Sequence, residues 1–172
     1  LMRIKIKKLT ENAIIPKYTL EGDAGLDLTA TSKEYDKDGN TIYGTGLAFS
    51  IPEGHVGLLF PRSSNAKKDL RLTNSVGVLD SNYRGEVTFK FRNDNYSANE
   101  DDFKNRYIVF TKEYEVGDRV GQLIILPYPK IEFIEADDLG ETNRGEGGYG
   151  STGNWFRENR IKRWINLNQH TQ

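Results

Sequence analysis

Arg144-Gly145-Glu146-Gly147-Gly148-Tyr149-Gly150-Ser151-Thr152-Gly153 sets five glycines in ten residues beside an arginine, two hydroxyls and an aromatic ring. Glycine lets backbone amides approach a ligand closely. Ser151 and Thr152 add hydroxyl donors and Arg144 a charged fork, a set suited to phosphate oxygens. Tyr149 adds a face on which a planar base can stack. The same composition also suits a flexible linker, and no Gly-Lys-Ser/Thr follows to make a Walker loop. Pro61-Arg62-Ser63-Ser64 closes an apolar run and puts an arginine and two hydroxyls on a turn, fit for an anion or for a serine helix cap. In Asn74-Ser75-Val76-Gly77-Val78-Leu79-Asp80-Ser81-Asn82-Tyr83-Arg84-Gly85-Glu86, Asp80 follows an apolar pair. A carboxylate at a strand end can be held rigidly enough to orient a water, and an Asx turn is the alternative. Asp27, between Leu26 and Leu28, needs partners as a hydrogen-bond hub or as part of a site.

These residues must be positioned by short strands. Met2-Arg3-Ile4-Lys5-Ile6-Lys7 alternates apolar and basic residues, the pattern of a half-buried strand with a solvated lysine face. Gly25–Ala30, Ala48–Ile51, Val56–Phe60 and Glu86–Arg92 read as further strands, the last with Val87, Phe89 and Phe91 on one face. Tyr107–Phe110 and Gln122–Pro127 read as more deeply buried strands. Asp36–Asn40 and Pro52-Glu53-Gly54 read as turns. Helical signal is confined to a turn within Ser64–Leu70 and to the tail, where Phe156, Ile161, Trp164 and Ile165 approximate a helical stripe. The pattern predicts an all-β antiparallel sandwich or barrel.

Composition narrows the function. The 172 residues fit one domain with a tail, and the net charge of −1 argues against a general nucleic-acid binder. The absence of cysteine excludes disulfides, thiolate zinc sites and cysteine nucleophiles, and two histidines make a His-rich metal centre improbable. No apolar run is long enough for a membrane span and no signal-peptide core is evident, so a cytoplasmic, membrane-free protein is expected.

Taken in order, the pieces resemble the trimeric dUTPase family (dUTP nucleotidohydrolase). Ala24-Gly25-Leu26-Asp27-Leu28 looks like its first motif and Pro61–Ala66 its second. Gly77–Glu86 looks like the third, Gly117-Asp118-Arg119-Val120-Gly121-Gln122-Leu123-Ile124 the fourth, and Arg144–Gly153 the fifth. The resemblance spans residues 3–153 and makes the linker, cap and turn readings improbable together.

The resemblance implies a jelly-roll-like β-barrel over residues 1–140, a mobile Gly-rich arm over 141–153 and an extension over 154–172 with a short helix. It implies a homotrimer with shared active sites, dUTP as substrate and Mg²⁺ as cofactor. Water would attack the α-phosphorus and pyrophosphate would leave, limiting uracil incorporation into DNA and supplying dUMP for dTMP synthesis. Asp80 matches the carboxylate that activates the water, and Tyr83 the aromatic that packs on deoxyribose and leaves no room for a 2′-OH. Asn74 and the backbone near Gly77 lie on a hairpin that reads uracil. Arg62, Ser63, Ser64 and Gln122 match phosphate contacts, with Ser63 and Gln122 nearest the chemistry. Tyr149, where the family usually has Phe, stacks over uracil, while Arg144, Gly150, Ser151 and Thr152 close on the phosphates. Asp27 acts structurally or through metal-bound water.

Leu26 stands where many members have a larger aromatic. The stretch between the third and fourth motifs, 93–115, looks longer than the family pattern, and the tail is an addition. The alternatives are a dCTP deaminase of the same fold, disfavoured by the form of the third motif, and a dUTPase scaffold with an added protein-interaction role. The inserted stretch and the basic tail favour the latter, and the intact Asp80, Tyr83 and Ser63 argue against a dead enzyme.

Overall fold

Ten strands in three antiparallel sheets make up the regular structure of the computed structural model, which describes residues 2–93 and 112–148. The expected strand at Tyr107–Phe110, most of the inserted stretch, the end of the fifth motif and the tail lie outside the described residues. A short ribbon pairs β1 (Lys5–Lys8) with β5 (Leu47–Ser50). One four-stranded sheet runs in the order β2 (Leu26–Thr29), β10 (Arg119–Pro127), β6 (His55–Phe60), β8 (Gly77–Leu79). The other runs β3 (Ser32–Tyr35), β4 (Asn40–Gly44), β9 (Thr88–Asn93), β7 (Leu70–Leu72). Crossing between sheets at almost every connection is the jelly-roll pattern.

Period-two alternation explains the best-defined elements. In β9 every second residue is buried, and Phe89 and Phe91 are each at most 1% exposed; each fully buried ring is worth about 1.5–3 kcal/mol. Tyr43, Phe91 and Tyr114 meet edge-on or tilted at 5.9–6.0 Å between ring centroids. Gly121 stands under the Phe89 ring, where an added methyl would overlap it. That contact lets the two sheets close over one core.

Asp36 shapes the β3–β4 hairpin at the expected turn. Its Oδ1 accepts from the amides of Asp38 and Asn40 at 3.0 and 2.9 Å, and its Oδ2 pairs with Lys90 Nζ at 3.1 Å. The Asn40 side chain and amide, helped by Lys90, hold the Asp36 carboxyl well below the ordinary carboxylate range.

Four strands escape the alternation pattern: β3, β4, β7 and β8. β7 and β8 have three residues each, and β3 reads Ser-Lys-Glu-Tyr, with no apolar face to signal. The turn expected within 64–70 is a 3-10 segment over Ser63–Lys67. The Gln122–Pro127 run is less buried than expected: Ile124 and Ile125 are half-buried and Leu126 is 44% exposed. A continuous apolar run marks a strand but does not say which of its faces the same chain covers.

The chain divides into two units, Leu1–Ile131 and Glu132–Gln172. The described part of the second has no strand, and its Phe133, Ile134 and Leu139 are 91%, 86% and 95% exposed. Among the described residues no helix is long and apolar enough to cross a membrane.

Candidate active site

The register along β10 assembles one half of the site. Gln122 lies opposite Asp27 of β2 on one side and Phe60 of β6 on the other. β6 stops at Pro61, whose carbonyl accepts from Gln122 Nε2 at 3.2 Å. Gly25 makes room for this arrangement, since a Cβ there would overlap Gln122 Oε1. Arg62 follows in extended conformation, and the 3-10 turn begins at Ser63. Neither serine acts as the N-cap: the cap residue is Arg62 and no side chain bonds the turn's free amides.

Asp27 is the hub of this half. Arg62 Nε donates to its Oδ1 at 2.8 Å and Arg119 Nη1 to its Oδ2 at 2.9 Å. Arg62 also donates from Nη1 to Ser64 Oγ at 3.2 Å. Two guanidiniums held by a part-buried carboxylate, beside the exposed Ser63, leave charged N–H groups and a hydroxyl for an anion. Arg119 was not among the sequence candidates. Its place in Gly117-Asp118-Arg119 was legible, but its partnership with Asp27, 92 residues away, was not.

The second half is built on the far strand. Asn74 and Gly77 do not sit on a two-stranded hairpin, contrary to expectation. β7 pairs with β9 and β8 with β6, so residues 73–76 turn a corner from one sheet to the other. Ser75 holds a left-handed φ of 60° there, and Val76 N donates to Asn74 O at 2.6 Å. Gly77 packs so closely on Leu59 that a Cβ would sit 3.0 Å from that side chain. The corner borders a cleft of about 250 Å³ lined by Leu59, Leu72, Asn74, Gly77, Phe89 and Lys90, among others.

Beyond β8, Asp80 is exposed and its carboxylate has no protein partner among the described residues. The loop after it is self-braced. Tyr83 N donates to Asp80 O at 3.1 Å, and Arg84 Nη1 donates to Ser81 O and Tyr83 O at 2.7 and 2.8 Å. The Tyr83 hydroxyl donates to Glu86 O at 3.0 Å, and its ring lies over Gly85, where a Cβ would be 2.6 Å from Cζ. Glu86 Oε1 accepts from Gly46 N at 2.7 Å and ties the loop to the barrel. The Tyr83 ring is thereby oriented while remaining 45% exposed.

Asp80 and Arg62 lie at opposite ends of β6, with the Asn74–Gly77 corner at the Arg62 end. Gly57 pairs with Leu79 and Leu59 with Gly77, so Asp80 falls beside Val56, whereas Arg62 lies past the other end. Six residues of strand separate those levels, about 20 Å.

In the second unit, Arg144 Nε donates to Gly147 O at 2.8 Å, and Gly145, at a left-handed φ of 50°, donates to Thr142 Oγ1 at 3.0 Å. Tyr149, Gly150, Ser151 and Thr152 lie outside the described residues. Among the described residues no three or more His, Cys, Asp or Glu cluster as a metal cage.

A family model for dUTPase matches residues 11–153. A deoxyuridine 5'-triphosphate nucleotidohydrolase of Corynebacterium glutamicum is 38% identical over 155 residues, covering 89% of this chain and 96% of that protein. One of Nautilia profundicola is 38% identical over 154 residues, covering 88% and 99%. Among solved structures, a Staphylococcus bacteriophage 80alpha dUTPase mutant with dUpNHpp superposes with a TM-score of 0.70 at 29% identity, covering 88% of this chain and 99% of that one. A mutant dUTPase from phage phi11 of S. aureus, described as revealing the coordination of a structural Mg(II) ion, gives 0.65 at 25%, covering 80% and 99%.

Proposed function

The chain belongs to the dUTPase family and hydrolyses dUTP to dUMP and pyrophosphate, and from that premise we propose how its residues divide the work. Arg62, Ser63, Ser64 and Gln122 hold the triphosphate. Arg62 is pre-set by Asp27, so little is lost in ordering it on binding. The Asn74–Gly77 corner reads uracil through its backbone and the Asn74 amide. A mispaired donor or acceptor there costs about 1–3 kcal/mol, enough to disfavour cytosine. Tyr83 packs on the deoxyribose. Asp80, solvated and rigidly attached to a strand end, orients the water that attacks the α-phosphorus in line, and pyrophosphate leaves. Arg144, Tyr149, Gly150, Ser151 and Thr152 are assigned as the closing contacts on the strength of their motif.

The donor chemistry suits a magnesium ion carried by the triphosphate's own oxygens and water, not one caged by protein. Both Asp27 oxygens already accept from arginines, so Asp27 would reach such an ion only through water. When bound, the ion supplies neutralisation of charge on the phosphates. The domain limits proposed are the barrel to residue 140, the arm over 141–153 and the extension beyond. A cytoplasmic location rests on the substrate belonging to the DNA-precursor pool.

The working form is assigned as a homotrimer with shared sites. The observation that carries this is the separation of Asp80 from Arg62 along β6. A dUTP molecule touching both needs Asp80 from one copy and Arg62 from another. The exposed Phe133, Ile134 and Leu139 also call for a cover that a second copy would provide.

Side-by-side assays of dUTP, dCTP, dTTP and UTP with and without Mg²⁺ test the reading. Pyrophosphate release confined to dUTP and strengthened by Mg²⁺ is expected. Ammonia release from dCTP would move the chain to the deaminase alternative.

A further inference from the structure

Regular alternation along β10 would set Arg119 and Gln122 on opposite faces of the sheet. The strand breaks that rule. Arg119 pairs with Thr29 and Gly121 with Leu28, so the register slips by one residue between them. Val120 is the extra residue of a β-bulge. Its side chain is fully buried, and Gly121 faces the core under the Phe89 ring. Two successive residues thus point inward, and Arg119 is turned to the outer face that carries Gln122. In the regular register its charge would point into the core, where an unpaired guanidinium is costly.

On that face Arg119 Nη1 donates to Asp27 Oδ2 at 2.9 Å, and Arg62 Nε donates to Asp27 Oδ1 at 2.8 Å. An arginine beside a free carboxylate closes a fork on both of its oxygens, through Nε and a terminal nitrogen. Arg62 does not, because Arg119 holds the second oxygen. Arg62 Nη1 goes to Ser64 Oγ at 3.2 Å, and Nη2 makes no hydrogen bond among the described residues. Charge divides in the same way. Asp27 alone would cancel Arg62, whereas two arginines against one aspartate leave the cluster with a surplus positive charge.

We propose that Arg119 is a positioning residue for triphosphate binding: by occupying Asp27 Oδ2 it keeps Arg62 from folding onto the carboxylate, so that Arg62 Nη2 and the surplus charge stay available to the phosphate chain. Arg119 acts through Asp27 and does not itself touch phosphate. The bulge at Val120 is the device that aims it there. The inference rests on the assignment of the Arg62–Ser64 turn as the phosphate contact.

Arg119→Met empties Oδ2 and keeps an apolar stem. The Arg119 side chain is 52% exposed, so the barrel should tolerate the change. KM for dUTP and Kd for the non-hydrolysable analogue dUpNHpp should rise about fivefold to twentyfold, the range of one charge-assisted hydrogen bond. Turnover at saturation should stay within about twofold, and Kd for dUMP, which lacks the outer phosphates, should not move. Arg119→Lys returns a cation to Oδ2 through the single bond it needs, and should bring dUpNHpp binding to within about threefold of wild type. In an Asp27→Asn background, Arg119→Met should add no more than about a twofold loss, because the carboxylate it acts through is gone. Unchanged KM in Arg119→Met, equal weakening of dUMP and dUpNHpp, Arg119→Lys as weak as Arg119→Met, or a fully additive loss in the Asp27→Asn background would each overturn the proposal. Arg62→Ala separates the two levels. If it weakens dUpNHpp while Arg119→Met does not, only this inference falls. If Arg62→Ala is also silent, the phosphate assignment of the turn falls with it.

Discussion

Asp80 and Asp27 are both aspartates next to strand leucines, and their surroundings give them opposite roles. Asp27 carries two arginines and is spent on holding them. Asp80 carries none and faces water. Asp80→Asn keeps the shape and removes the carboxylate proposed to orient the water. Turnover should fall by about 10²–10⁴-fold while Kd for dUpNHpp changes by no more than a small factor. Stopped assays on a variant of confirmed fold check this, and near-normal kcat would remove Asp80 from the reaction. Gly25 acts at the same scale through space alone. Gly25→Ala forces Gln122 off the Pro61 carbonyl, because the new methyl takes the place of the amide oxygen. KM for dUTP should rise about fivefold, within the range of one displaced hydrogen bond. An unchanged KM would mean that Gln122 does not touch the triphosphate.

The sheet β3-β4-β9-β7 carries its own charge network at the element scale. Lys33 Nζ pairs with Glu113 at 3.1 Å and with Glu115 at 2.9 Å, and Glu113 also accepts from Asn93 and Tyr35 at 2.9 and 3.1 Å. Burial alone would raise the Glu113 carboxyl, but the bonds from Asn93, Lys33 and Tyr35 outweigh it and hold it below its ordinary value of 4.5. A lowered carboxyl stabilises the fold above that ordinary value and loses the contribution as pH falls through its folded value. Lys33 has the opposite sign. Burial lowers it, the bonds from Glu115 and Glu113 more than reverse that, and its stabilisation persists until pH passes above 10.5. Glu113→Gln should therefore flatten the acid limb of the stability curve, with Asp36→Asn removing the part contributed by the hairpin. Thermal melts from neutral pH to below 4.5 check this. An acid limb as steep as wild type would contradict it. Lys33→Met should cost about 2–3 kcal/mol, below the ~3–5 kcal/mol of a fully buried pair because both groups keep some water contact.

At the scale of the whole molecule, Asp80 and Arg62 sit at opposite ends of one strand, which makes a prediction about mixtures. Asp80→Asn and Arg62→Ala are each expected to be nearly inactive alone. If each site joins Asp80 of one copy to Arg62 of another, co-refolding equal amounts should restore about a quarter of the wild-type activity by random assortment. Recovery is read after mixed trimers are shown by differently tagged chains. Mixed trimers with no recovery would place both residues in the same copy's site.

The sequence by itself determined the chemistry and the class of fold. The family was legible through motifs around Asp80, Arg62, Ser63, Gln122 and Tyr83, because motif identity is a property of neighbouring residues. β9 was legible because burying one face of a strand imposes a period of two on residues such as Phe89 and Phe91. Tertiary structure alone decided the partnerships. Asp27 meets Arg62 and Arg119 only because β2, β10 and β6 lie side by side, a matter of register between segments 35 and 92 residues apart. Asn74 turns a corner between sheets instead of a hairpin, since which strand a three-residue segment joins depends on the free edges available to it. The Tyr43 hydroxyl bonds both the carbonyl and the amide of Tyr114, 71 residues away, and that relation exists only in the fold, because a buried hydroxyl's worth is set by what lies beside it.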